Sequence, residues 1–271
     1  MRISRLIPVM AVAVMAFAGC STSPANSTEP AGASTAASSP SAAANTLTVA
    51  YEENCQLELI APSGQRILID VYDPTLLTSP AKATDILLAT HIHTDHYLAS
   101  FADSFPGKKI VNETKEETID GVKIKSIAAS HDDQEIVPAD PTNHIFVIEF
   151  NGFKIVHMGS TGQMKLTADQ LTAIGTGVDI AAVDMVSVGG SDPNGDKEIQ
   201  IAQQINAKLI VPTHSSLPYI QAAGKIWSAT YSTKISVKIP QSELPTKPTM
   251  LIMGNLATSY GSILKAPESK W

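Results

Sequence analysis

The sequence predicts a mixed α/β sandwich over residues 47–271. Three observations lead there: strand-like segments with hairpin signals come first, helix–strand alternation follows, and no internal repeat links the two halves. Leu47–Tyr51 and Gln56–Ala61 read as strands, and Pro62-Ser63-Gly64-Gln65 is a turn that leads into a third, Arg66–Asp70. Asp85–Thr90 is a short run of apolar residues, and Val122–Ala129 is a further strand. Ile145–Phe150 and Phe153–Met158 flank Asn151-Gly152, a pair that tolerates the positive φ values of a two-residue hairpin turn. The period then changes. Thr167-Ala168-Asp169-Gln170 carries a capping-box pattern and opens a helix with Leu171 and Ile174 facing inward, followed by the apolar run Val178–Val183. Asp196 is placed to cap a second helix with Ile199, Ala202 and Ile205 on one face, and Lys208–Pro212 follows as a strand.

The 271 residues are 44% hydrophobic and 17% charged, which suits a globular domain with additional material. A net charge of −7 argues against a surface that neutralises nucleic-acid phosphates, or one that holds anionic lipid by charge. Two cysteines exclude a disulfide-rich scaffold and a cysteine-based zinc cluster, so a metal site is expected to rest on His and carboxylates.

The amino terminus reads as an address. Arg2 and Arg5 precede an apolar run from Leu6 to Ala18, shorter than the roughly 20 residues that a membrane span needs. It closes on Phe17-Ala18-Gly19-Cys20, which resembles a bacterial lipobox, so residues 1–19 are expected to be a signal peptide and Cys20 the lipidated residue. Residues 21–46 are Ser, Thr, Ala, Pro, Asn and Gly with one charge, Glu29, and cannot bury enough apolar surface to order themselves. As a flexible coil this tether reaches about 28 Å. The expected location is extracytoplasmic, anchored to a bacterial membrane by acyl chains. With Cys20 acylated, Cys55 has no partner in the chain and reads as a small buried residue on a strand.

Polar residues fall at the ends of the predicted strands: Asp70, His91, His131, Ser160 and His214. Loops at one end of a rigid sheet are where sites are built. Thr90-His91-Ile92-His93-Thr94-Asp95-His96 is the densest of these, with three histidines and a carboxylate directly after a buried-looking strand. Imidazole and carboxylate are good zinc ligands, and His91 and His93, two apart on an extended segment, can point to the same side.

The His-x-His-x-Asp-His run from His91 to His96 resembles the signature of the metallo-β-lactamase-fold hydrolases, and the resemblance extends in order over nearly all of residues 47–271. It implies an αββα four-layer sandwich, closest in style to the compact lactonase-like branch, to which Val188-Gly189-Gly190 and Val211-Pro212-Thr213-His214 are similar. By that likeness His91, His93 and His131 hold one metal, Asp95, His96 and His214 hold a second, and Asp70 braces the site. One departure stands out. Where the family has Gly-Asp-Thr with a bridging Asp, this chain has Gly159-Ser160-Thr161, and a neutral serine is a poor ligand that leaves two dications less well balanced. The second site is therefore expected to be weak; Asp184, Asp132 and Asp133 are carboxylates that could substitute, although spacing does not place them. His144 and His157 read as structural residues or as supports behind the ligands rather than as ligands.

The chemistry implied is hydrolysis of an ester, lactone, amide or phosphoester of a small-molecule substrate, with a zinc-activated water as nucleophile and Asp95 orienting it or carrying a proton. The competing expectation is a catalytically weakened lipoprotein that binds a ligand or a metal. Diiron oxygen-reducing members of the fold place a Glu where His93 stands, which disfavours that reading. Tyr97, Tyr219 and Trp227 are expected to pack in the core or on the surface rather than to line a pocket.

Overall fold

Strands form where the aliphatic runs lie, and the side-chain alternation along each strand decides what its two faces meet. The computed structural model describes residues 45–51, 54–131, 136, 138–186 and 196–271. The signal, Cys20, nearly all of the tether, Asp132, Asp133 and Val188-Gly189-Gly190 lie outside them. In chain order the elements are β1 (Thr46–Tyr51), β2 (Leu57–Ile60), β3 (Arg66–Ile69), β4 (Ile86–Ala89), α1 (Ala99–Ser104), β5 (Lys108–Val111), β6 (Lys115–Ile119), β7 (Val122–Ala129), β8 (Asn143–Phe150) and β9 (Phe153–His157). They continue with α2 (Ala168–Ile174), β10 (Ile180–Asp184), α3 (Asp196–Ile205), β11 (Leu209–Thr213), α4 (Leu217–Ala223), β12 (Ser228–Ser232), β13 (Ser236–Pro240), β14 (Thr249–Met253) and α5 (Gly254–Leu264).

Two sheets result, one of six strands in the order β13-β1-β2-β3-β4-β5 and one of eight in the order β12-β14-β11-β10-β9-β8-β7-β6. One face of each sheet meets the other sheet: Ile67, Ile69 and Leu88 of the first pack with Phe146, Ile148, Ile180, Ala182, Leu209 and Val211 of the second. The intervening residues point the other way. Leu68 and Leu87 pack against Ala102 and Phe105 around α1, while Ile145, Val147, Ala181, Val183 and Ile210 pack against Ile174, Ile199, Ala202, Ile205 and Ile220 of the helices. Helix, sheet, sheet and helix thus form four layers, each covering the apolar face of the next.

The local signals hold with shifts at their ends. The hairpin of β8 and β9 turns at Asn151 and Gly152, at φ 49° and 82°. Thr167 and Gln170 form the reciprocal capping box, with Gln170 and Ile174 buried and Leu171 half-buried. The second helix is α3, which begins at Asp196. Cys55 is not on a strand: it is fully buried in the turn before β2. Trp227 is buried among the helices, with Tyr219 half-buried beside them, and Tyr97 packs near α1. No helix among the described residues is long and apolar enough to cross a membrane.

One buried charge cluster locks the segment between β3 and β4. From β3, the Arg66 guanidinium donates to Glu58 Oε2 at 3.0 Å, to Asp85 Oδ2 at 2.5 Å, and to the carbonyls of Ser79 and Pro80 at 3.0 and 2.8 Å. Glu58 in turn accepts from the Thr78 amide and hydroxyl. All three charged side chains are shielded from solvent. A guanidinium fork suits this place because it can satisfy two carboxylates and two carbonyls at once.

Candidate metal centre

Strands β3, β4, β7, β9, β10 and β11 finish at the same edge of the sandwich, and each delivers a polar residue there. After β3, Asp70 takes a left-handed conformation at φ 52°, which turns its carboxylate back under the end of β4. After β4, the chain continues through His91 to His93 and then bends sharply, with the amides of His96 and Tyr97 donating to the His93 carbonyl. The bend puts His96 into a different donor group from His91 and His93, although the rings of His91 and His96 lie 4.1 Å apart. After β7, His131 is held by its amide on Thr142 Oγ1, and the Ser130 carbonyl accepts from the Gly162 amide. After β11, His214 is also left-handed, at φ 43°, with its amide shared between the Asn54 carbonyl and the Tyr51 hydroxyl. Non-glycine residues at positive φ are uncommon and tend to gather where structure serves a site. Between β9 and Ser160 stands Gly159, at φ 55°, where a Cβ would lie 2.5 Å from Asn143 Oδ1 and 2.6 Å from Thr90 Cβ. Only glycine fits there.

The result is two groups of potential donors. His91, His93 and His131 form one, and Cys55, His96, Asp184 and His214 the other; within each, the donor atoms lie within 4.8 Å of one another. Asp95 sits at the rim, 41% exposed, with Oδ2 3.9 Å from both His96 Nε2 and His214 Nε2. Asp70 lies behind both groups, fully buried, and accepts from the Thr90 amide at 2.7 Å, the Thr90 hydroxyl at 2.8 Å and His96 Nδ1 at 2.9 Å. Ser160 Oγ is 2.9 Å from both His96 Nε2 and Asp184 Oδ2. The sequence presents Cys55 only as a small buried residue and leaves Asp184 unplaced. The turn before β2 brings Cys55 Sγ to 2.8 Å from Asp184 Oδ1, which places a thiol beside the histidines and carboxylates.

Hydrogen bonding fixes the state of the first group. The Thr90 hydroxyl gives its one proton to Asp70, so its oxygen accepts from His91 Nδ1 at 3.0 Å. His91 therefore carries its proton on Nδ1 and leaves Nε2 bare. That atom is buried and, among the described residues, has no hydrogen-bond partner. A buried polar atom without a partner calls for an explanation, and a bare ring nitrogen on a histidine clustered with two further imidazoles fits a metal ion. Burial, then the proximity of His96, lowers the His91 pKa to about 3, so no proton competes for the site at neutral pH. Burial and neighbouring His93 lower His131 as well.

The second group is the more polar. Burial works against charge on His96, but its hydrogen bond to Asp70 and the charges of Asp70 and Asp184 raise its pKa above the ordinary value. Asp184 raises His214 likewise. Asp184 itself is 2% exposed and accepts from Ser160, Thr213 Oγ1 and Cys55. Burial opposes its ionisation, yet His214 and His96 hold its carboxyl below the usual range. Burial and Asp184 push the Cys55 thiol well up.

His144 and His157 serve the scaffold. His144 Nδ1 donates to the Thr90 carbonyl at 3.0 Å. His157 donates from Nε2 to the Cys55 carbonyl at 3.2 Å and accepts the Gly159 amide on Nδ1 at 3.1 Å, a pairing that only the neutral ring can make. Burial accordingly lowers its pKa in the folded chain. The stability this contributes is complete above the unfolded value of about 6.5 and is lost as pH falls through the lower folded value. His157→Gln is expected to flatten the acid limb of the stability curve by up to about 1.4 kcal/mol per pH unit, read from urea midpoints measured across pH. Parallel curves for the two proteins would refute this.

Residues 51–214 match the family described as the beta-lactamase superfamily domain. The chain belongs to that superfamily. A "UPF0173 metal-dependent hydrolase" of Thermococcus onnurineus is 28% identical over 180 residues, covering 56% of this chain and 77% of the relative. A crystal structure described as that of a Zn-dependent hydrolase of the metallo-beta-lactamase superfamily, from Thermotoga maritima, superposes with a TM-score of 0.57 at 25% identity, covering 77% of this chain and 98% of the other. The four-layer architecture is thus the superfamily's, and its relatives carry the name of metal-dependent hydrolases.

Proposed function

We propose that this chain is a lipid-anchored, extracytoplasmic hydrolase of the superfamily that uses zinc to cleave an ester, lactone, amide or phosphoester of a small molecule. The observation that carries the reading is the bare, buried Nε2 of His91, a residue whose donor atoms cluster with those of His93 and His131. A divalent ion bound there supplies Lewis-acid polarisation of a carbonyl or phosphoryl oxygen and lowers the pKa of water. Three imidazoles lean towards zinc among the available ions. His91, His93 and His131 are the residues that hold it; Asp70 and Thr90 keep His91 in the ligating tautomer. Asp95, half exposed at the rim between His96 and His214, is free to take a proton from the attacking water and pass it to the leaving group. Support for the anchor is the lipobox-like Phe17-Ala18-Gly19-Cys20 and the polar segment that follows it.

The alternative, a weakened member that binds without turnover, is favoured by one feature, the serine at 160 in place of a carboxylate. One experiment separates them. The full chain and its His93→Ala variant are assayed for metal content by elemental mass spectrometry and for hydrolysis of generic ester and phosphodiester substrates. Bound metal with turnover, both diminished in the variant, is the expected result; metal without turnover, with activity appearing only in Ser160→Asp, would establish the binder. No metal at micromolar zinc would overturn the hydrolase reading. Release from the membrane fraction in Cys20→Ser tests the anchor.

A further inference from the structure

We propose that Cys55 and Asp184 complete a second metal site with His96 and His214, a mixed thiolate–carboxylate–imidazole set in which Asp184 supplies, from the end of β10, the charge that Ser160 lacks. The inference rests on the metal-dependent reading above but concerns different residues.

Three observations carry it. The four donor atoms lie within 4.8 Å of one another, although they come from four separate places in the chain: the turn before β2, the bend after β4, the end of β10 and the start of the loop after β11. Such convergence is built by tertiary structure. Second, Asp70 and Asp184 are both buried carboxylates at this edge, and among the described residues no Lys or Arg pairs with either. Buried charge is paired or coordinates metal, and two histidines that must themselves ligate leave a deficit of positive charge that a dication fills. Third, Ser160 Oγ touches both His96 Nε2 and Asp184 Oδ2, so the short side chain leaves room for the Asp184 carboxylate to approach His96 across it. A carboxylate is therefore kept at the site and its point of attachment has moved from β9's loop to β10.

The consequence is chemical. A thiolate donor selects zinc and other soft ions over magnesium or manganese, and a coordinating thiol gives up its proton on binding. Nothing else in the site imposes that selectivity so strongly.

Cobalt(II) reports it directly. The full chain carrying Cys20→Ser keeps Cys55 as its one thiol. Cobalt titrated into the metal-free protein is expected to bind as two equivalents, one of them developing the near-ultraviolet sulfur-to-cobalt charge-transfer band. Adding Cys55→Ser should abolish that band while the visible bands of the first equivalent persist. Asp184→Asn should keep the band but weaken the second equivalent by about 10–100-fold, which tests the proposal even if the cysteine variant fails to fold. Two equivalents without a charge-transfer band, or a single equivalent in all that His93→Ala abolishes, overturns this proposal and leaves the hydrolase reading standing. No cobalt bound at all overturns both.

Discussion

His91→Ala is expected to remove one equivalent of bound metal and to lower hydrolysis by at least about 100-fold, the upper end of what even an indirect disturbance of a metal ligand costs. The argument runs through three atoms. Asp70 accepts from the Thr90 hydroxyl, Thr90 Oγ1 accepts from His91 Nδ1, and among the described residues the buried His91 Nε2 has no partner. Alanine removes that lone pair without disturbing the β4 core, so far-ultraviolet circular dichroism should be unchanged. Thr90→Val keeps the ring but cuts the relay; its metal affinity should fall about 10–100-fold by calorimetric titration. Undiminished metal binding in His91→Ala would show that the ion sits elsewhere.

Arg66→Ala is expected to cost about 3–5 kcal/mol of stability, because it strands two buried carboxylates. Glu58 and Asp85 lose their one shared cation, and the carbonyls of Ser79 and Pro80 lose donors as well. Arg66→Lys restores the charge without the planar fork and should fall between the two. Urea unfolding followed by fluorescence and by circular dichroism measures both. A midpoint for Arg66→Ala within experimental error of the parent would mean that the cluster is not stabilising the β3–β4 connection.

Much of the site was legible from local pattern. The run from His91 to His96 announces itself; His131 follows an alternating strand and His214 a short apolar run, both clear in the sequence. Two residues were not legible for the same reason. Asp184 reaches the site because β10 pairs in parallel with β11 in the register that sets it opposite Thr213, and that register joins segments far apart in sequence. Cys55 reaches it because the His214 amide is bonded to Asn54 and Tyr51, which draws the turn before β2 under the end of β11. Neither pairing leaves a periodicity to read. The same holds for β13, a weakly alternating segment that finds its place only by pairing with β1 at the other end of the domain.

Asp70 carries a consequence beyond bracing. One of its oxygens reaches His91 through Thr90 and the same carboxylate bonds His96 directly, so both donor groups take their orientation from a single buried side chain. The two halves of the centre therefore cannot be tuned independently. A change that rotates this carboxylate alters the aim of His91 and of His96 together, and selection acting on one half is inherited by the other.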